Sequence, residues 1–180
     1  MIFLLSWYVR HQFLGMTAED LHNKVFDRLF RGNSFHFYSG YIQSFLDEFF
    51  ESLLSPSIVA RLLEAQKKGH YTVILSNSPS IIVEPVAKRF GVDSWKGTSY
   101  IYDENGFFSH IADYLDGAEK AAYTLKLAEQ LNIEREKITA FSDSYHDIPL
   151  LSSVGKAVAV NPDRSLKLLS QNKNWEIVND

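Results

Sequence analysis

Ile138-Thr139-Ala140-Phe141-Ser142-Asp143-Ser144-Tyr145-His146-Asp147-Ile148-Pro149-Leu150-Leu151 is the stretch that decides the fold. An apolar, β-rich run that stops at Asp-Ser-x-x-Asp places acidic oxygens at the carboxyl edge of a parallel sheet, where open α/β folds gather their ligands. Asp143 and Asp147 are four residues apart. Carboxylates so placed suit Mg²⁺, which takes one or two of them and fills the rest of its shell with water and phosphate. The same residues also read as ordinary helix capping, with Asp143 or Ser144 closing the turn before Pro149. On the segment alone both readings stand.

Outward from this stretch, helices and strands alternate. Residues 57–68 read as a helix ended by Gly69, Tyr71-Thr72-Val73-Ile74-Leu75 as a strand, and 80–90 as a helix ended by Gly91. Thr98 to Tyr102 and Phe107 to Ile111 flank Asp103-Glu104-Asn105-Gly106, whose Asn-Gly signals a hairpin. A helix over 117–131, a strand over 137–142, a strand over 157–160, a helix from Asp163 to about Ser170 and a strand over 175–178 complete the series. The pattern predicts an α/β fold, a Rossmann-like parallel sheet with crossover helices. Residues 1–55 differ: helices over 2–14, 17–31 and 39–54 make a helical, aromatic cap region, with the α/β core over 56–180.

Composition narrows the functions. The chain has 180 residues, 46 % of them hydrophobic, enough for one well-buried core. A net charge of −4 supplies no basic field for nucleic acid. With no cysteine, disulfides, thiolate catalysis and sulfur-ligated zinc are excluded, which fits a cytoplasmic location. The opening apolar run ends at Arg10-His11, too short to span a bilayer, so no membrane partner is expected. The six histidines form no His-x-x-x-His pair, and no Gly-x-Ser-x-Gly, Gly-x-Gly-x-x-Gly or Walker loop is present.

Two further positions carry chemistry. Val73-Ile74-Leu75 ends in Ser76-Asn77-Ser78-Pro79. A hydroxyl at a strand tip, with free amides in the turn and a helix start behind it, makes an anion pocket; the same four residues are also common turn chemistry. Lys120 lies in the first turn of a helix, where the macrodipole disfavours positive charge. A bound phosphate and neighbouring carboxylates would account for it, as would simple solvation. Phe35-His36-Phe37-Tyr38 reads as packing or as the wall of a substrate pocket.

Taken in order, the strand before Ser76, Phe90-Gly91-Val92-Asp93 with Gly97-Thr98, Lys120, the 142–151 run and Ala157-Val158-Ala159-Val160-Asn161-Pro162-Asp163 resemble the haloacid dehalogenase-like phosphohydrolases. The likeness is to the phosphoserine-phosphatase-related branch and covers residues 57–178. It implies hydrolysis of a phosphate monoester of a small phosphorylated metabolite, phosphoserine-like substrates included, with Mg²⁺ as cofactor. By it, Ser76 and Lys120 are catalytic, Ser76, Asn77 and Lys120 bind phosphate, and Asp143 and Asp147 hold the metal. Ser142 stands where the family often has glycine, and His146 where it often has asparagine.

A third departure is larger. The family's nucleophile is the first aspartate of an Asp-x-Asp on its first strand, which lies between the strands that here end at Ser76 and Ser142. No such pair occurs before Ser76, the first acids are Glu19 and Asp20, and Met1 to Leu14 resembles the helix that follows the motif. The sequence thus predicts a sheet without its nucleophile strand. It reads as a truncated, inactive phosphatase, or alternatively as a non-catalytic phosphate- or metabolite-binding relative.

Overall fold

The computed structural model describes residues 17–180; the helix expected over 2–14 lies outside them. The described residues form two compact units, each assembled from separate stretches of chain. The first contains residues 17–50, 76–91 and 95–114, the second 51–75, 92–94 and 115–180. No helix among the described residues is long and apolar enough to cross a membrane.

The elements run α1 (Ala18–Val25), a π-helical turn Phe26–Phe30, α2 (Phe35–Phe49), a 3-10 turn Phe50–Leu53 and α3 (Pro56–Lys67). Then come β1 (Val73–Pro79), α4 (Ser80–Phe90), β2 (Ser94–Tyr102), β3 (Phe108–Asp113) and α5 (Gly117–Gln130). The chain closes with β4 (Thr139–Ser142), α6 (Ile148–Ser153), β5 (Lys156–Val160), α7 (Arg164–Lys173) and β6 (Glu176–Val178). Among the described residues the strands form two sheets, in orders β1-β2-β3 and β4-β5-β6. The second is parallel throughout, with Ala140 opposite Ala157, Ser142 opposite Ala159 and Ala159 opposite Ile177. The expected α/β architecture with crossover helices is the one observed.

In the second unit the core gathers Ala140, Leu150, Leu151, Val154, Ala157, Ala159 and Leu166, with Ile138, Trp175 and Ile177 packed on it. Four consecutive residues of β5 are buried, as befits the middle strand of a parallel sheet covered on both faces. In the first unit aromatic rings do this work. Phe26 meets Tyr100 edge-on at 4.9 Å between centroids, and Phe30 meets Phe108 edge-on at 5.3 Å. The π turn, closed by Arg31 N–H on the Phe26 carbonyl, lets both phenylalanines enter this core. The Phe35–Tyr38 cluster divides: Phe35 and Tyr38 pack on the core, whereas His36 and Phe37 are exposed.

One local expectation is corrected. Ser76-Asn77-Ser78-Pro79 is the second half of β1 and not a turn. The Thr98 hydroxyl donates to the Asn77 carbonyl at 2.6 Å, and a Cβ on Gly97 would sit 2.9 Å from the Ser78 carbonyl oxygen, so β2 lies close enough to hold the strand straight. Ser76 is therefore inside the strand, and the helix start behind it is at Ser80. In the hairpin, Asp103 is the organiser: its Oδ1 accepts from the amides of Asn105 and Phe107, and Gly106 takes φ +79°.

Just ahead of β1, the buried Thr72 is clasped by Asp93. Thr72 donates from its amide at 2.7 Å and its hydroxyl at 2.9 Å to Asp93 Oδ2, while Asp93 and Ser94 amides donate to the Thr72 carbonyl. The two Thr72 donors hold the Asp93 carboxyl below the usual carboxylate range. Because the folded-state value is the lower one, this stabilisation is present above the unfolded pKa of about 3.9 and is lost as pH falls through the folded value. Asp93→Asn is expected to lower the thermal midpoint at pH 7 by roughly 2–4 °C. The difference should shrink below about pH 4; thermal melts across pH 2.5–7 check this, and a pH-independent difference would contradict it.

Candidate active site

β4 delivers its carboxylates by ending early. Ser142 is its last residue, Asp143 follows, and a 3-10 turn Tyr145–Asp147 swings the second carboxylate back beneath the strand end before α6 starts at Ile148, with Pro149 in its first turn. The Ser144 hydroxyl caps that turn by accepting from the His146 amide at 3.2 Å. Capping and site chemistry thus coexist here, with Ser144 serving the first and leaving Asp143 to the second.

Lys120 is the other half of the site. It belongs to the first turn of α5, whose N-cap Asp116 accepts from the Glu119 amide at 2.9 Å. Far from being a surface lysine, it is 4 % exposed. Its Nζ donates to Asp147 Oδ1 at 2.8 Å and Oδ2 at 2.9 Å. Ser142 Oγ donates to the same Oδ2 at 2.8 Å. Asp147 is thereby committed through both oxygens. Asp143 is different: it is exposed, and its carboxylate has no hydrogen-bond or ion-pair partner among the described residues.

Three residues to which the sequence reading gave no role in the site hold this geometry. A Cβ on Gly117 would fall 2.0 Å from the His146 carbonyl oxygen, so only glycine lets the start of α5 seat against the loop and bring Lys120 to Asp147. Asp163, read from sequence only as a helix start, caps α7 through the Leu166 amide at 2.8 Å and also accepts from the Tyr145 amide at 2.7 Å. Burial alone would raise its pKa, but the amides of Leu166, Tyr145 and Ser165 and the nearby His146 outweigh it, and the carboxyl stays below its ordinary value. Ser142, noted in the sequence as a replacement for glycine, is the hydroxyl that completes Asp147. The legible signal was a hydroxyl at a strand end, five residues before an aspartate.

The oxygen donors fit Mg²⁺ in part. Mg²⁺ needs only one or two carboxylates, and Asp143 offers one that is accessible and uncommitted. Asp147 is buried and already accepts from Lys120 and Ser142, so it is the less available of the two carboxylates. Among the described residues no three His, Asp or Glu side chains cluster as a ligand set.

Ser76 and Asn77 lie in the first unit. Ser76 Oγ accepts from the Ser78 amide at 3.2 Å, and Asn77 Nδ2 donates to the Tyr114 hydroxyl at 3.4 Å. Tyr114 in turn walls a polar hollow of about 90 Å³ with Glu19, His22, Asn23, Ile111 and Ala112. His22 Nδ1 lies 3.1 Å from the Tyr100 hydroxyl, and burial lowers the His22 pKa.

A family model for haloacid dehalogenase-like hydrolases matches residues 4–152, and the chain belongs to that family. It is 34 % identical over 111 residues to phosphoserine phosphatase SerB1 of Mycobacterium tuberculosis, covering 61 % of this chain and 36 % of that protein. It is 32 % identical over 142 residues to the inhibition of morphological differentiation protein of Streptomyces azureus, covering 76 % of this chain and 51 % of that protein. The chain thus spans from about a third to half of the length of these relatives. A solved structure from Bordetella pertussis Tohama I, of a protein of unknown function, shares the fold with a TM-score of 0.84 at 20 % identity, over 96 % of this chain and 79 % of that one.

Gly117→Ala is expected to cost about 1–3 kcal/mol, since backbone must move to admit the methyl group. Lys120→Met, which strands Asp147 as a buried charge, should cost about 3–5 kcal/mol. Adding Asp147→Leu to Lys120→Met should recover much of that loss, because an apolar pair has no charge left to desolvate. Urea titrations of the single and double variants check all three.

Proposed function

We propose that the chain carries the phosphate- and metal-binding elements of a Mg²⁺-dependent phosphate monoester hydrolase acting on small phosphorylated metabolites, phosphoserine-like esters among them. The observation that carries this reading is the buried Lys120–Asp147–Ser142 cluster beside the uncommitted carboxylate of Asp143. Family membership and likeness to a mycobacterial phosphoserine phosphatase support it.

The roles follow from the chemistry of the groups. Asp147 uses two of the three Lys120 N–H donors and fixes the ammonium, so that Lys120 presents positive charge to a phosphoryl group without having to be ordered when substrate arrives. Asp143 is the direct metal ligand and Asp147 acts on the metal shell through water. Bound Mg²⁺ would neutralise charge on phosphoryl oxygens. Ser76 contributes a hydroxyl donor to the phosphoryl group and Asn77 its neighbouring amide.

The 180 residues hold no Asp-x-Asp ahead of Ser76. For these residues by themselves the proposal is therefore binding without turnover. Asp143→Asn should weaken Mn²⁺ binding at least tenfold, read by electron paramagnetic resonance; equal affinity in wild type and variant would remove the metal assignment. The 180-residue chain should not hydrolyse p-nitrophenyl phosphate. Joining an in-frame upstream segment bearing Asp-x-Asp should create a Mg²⁺-dependent activity that Lys120→Met abolishes. Hydrolysis by the 180 residues that depends on Ser76 and Asp143 would refute the assignment of the nucleophile.

A further inference from the structure

The turn that follows β5 is held from both sides. Asn161 sits at φ +41°, in the left-handed region, and is followed by Pro162. A residue ahead of proline is ordinarily extended, and a left-handed residue other than glycine persists only where its surroundings over-determine it. On one side, the Asn161 amide donates to the Val178 carbonyl at 2.8 Å, and its side-chain Oδ1 accepts from the Asp180 amide at 3.0 Å. Asp180 is anchored in turn at the start of α3. Its Oδ1 accepts from the Ser57 amide at 3.3 Å and its Oδ2 from the Ser55 hydroxyl.

The other side of the turn grips the candidate site. The Asp163 amide donates to the Asp143 carbonyl at 3.0 Å, and Asp163 Oδ2 accepts from the Tyr145 amide at 2.7 Å. The Asp143 carboxylate has no partner of its own among the described residues, so its direction is set by the backbone that carries it. Pro162 stiffens the link between Asn161 and Asp163 by fixing its own φ. A run of hydrogen bonds, all inside the second unit, thus leads from the start of α3 through Asp180 and Asn161 to the turn that holds the Asp143 loop.

We propose that Asn161 is a positioning residue for the Asp143 carboxylate: its side chain, tied to Asp180, locks the left-handed turn that sets Asp163 against the Asp143–Tyr145 loop. The inference rests on the reading of Asp143 as the metal ligand. Asn161 touches neither metal nor phosphate in this role and acts through Asp163. Its chemistry suits the place, since asparagine tolerates the left-handed region and also offers an acceptor. Glycine would supply the first property without the second.

That difference provides the test. Asn161→Gly keeps the backbone conformation and removes the tie, whereas Asp180→Ala keeps the Asp180 amide and removes its anchorage on α3. In the 180-residue chain, Asn161→Gly should leave the thermal midpoint near the wild-type value and the hydrogen exchange of β5 amides unchanged. The Tyr145 and Asp163 amides should exchange about threefold to tenfold faster, the equivalent of one net hydrogen bond. Mn²⁺ affinity, read by electron paramagnetic resonance, should fall about tenfold, the lower end for loss of an outer-shell partner. Asp180→Ala should act in the same direction, and the double variant should be no weaker than Asn161→Gly, because both changes break one tie. Unchanged exchange at Tyr145 and Asp163, equal acceleration in β5, or additive losses from the two variants would each overturn the proposal. So would a Mn²⁺ affinity untouched by Asn161→Gly in a chain where Asp143→Asn weakens it. If Mn²⁺ binding ignores Asp143→Asn while Tyr145 exchange still responds to Asn161→Gly, the tie stands and the metal reading falls.

Discussion

A lysine and an aspartate, both almost out of reach of water, are the constraint on which the rest of the second unit depends. Each alone would carry a desolvation penalty of several kcal/mol; together they persist only because the geometry is close and the remaining lone pairs are used. Lys120 supplies two hydrogen bonds to Asp147, and Ser142 supplies a third. The pair links the start of α5 to the end of β4 across 27 residues of chain. It also resolves an apparent conflict in the sequence. A lysine in a first helical turn opposes the macrodipole, but that effect amounts to only about 0.3–1 kcal/mol, and a buried carboxylate at hydrogen-bond distance outweighs it.

The pair is held by packing more than by charge. Gly117 gives α5 its close seat on the His146 carbonyl, and Asp163 ties the Tyr145 amide to the start of α7. Neither residue touches Lys120 or Asp147 in the contacts described. Both fix the path of a loop whose one free carboxylate, Asp143, then has nowhere to go but outward. Electrostatics explains why the buried cluster exists; sterics explains why it sits where it does.

The order of elements was largely legible because hydrophobic period and cap residues agree along the chain. Helix 80–90 ended by Gly91, helix 117–131 and the strand at 157–160 each appear with boundaries within a residue or two. What the sequence obscured were properties set by contacts between distant segments. The burial of Lys120 depends on Asp147, and a polar residue in a helical pattern looks the same whether solvated or paired. Ser76-Asn77-Ser78-Pro79 has turn composition, yet pairing with β2 past Gly97 overrides it. The aromatic cluster at 35–38 could not be apportioned between core and surface without knowing that Phe26 and Phe30 both turn inward, which required a π turn that no local pattern announced.

The position of β4 gives the site its last constraint. Among the described strands it is the outer one in the order β4-β5-β6, four residues long, with Thr139 and Phe141 exposed and Ala140 and Ser142 buried. Short length and partial cover are the usual protections of an outer strand, and both are present, since the Arg61 guanidinium lies over the Phe141 ring at 5.9 Å. Arg61 is itself held by Glu176 of β6. The same strand therefore meets two demands. Its buried residues anchor the sheet and, through Ser142, the ion pair. Its early end leaves Asp143 accessible, which a strand running further would not.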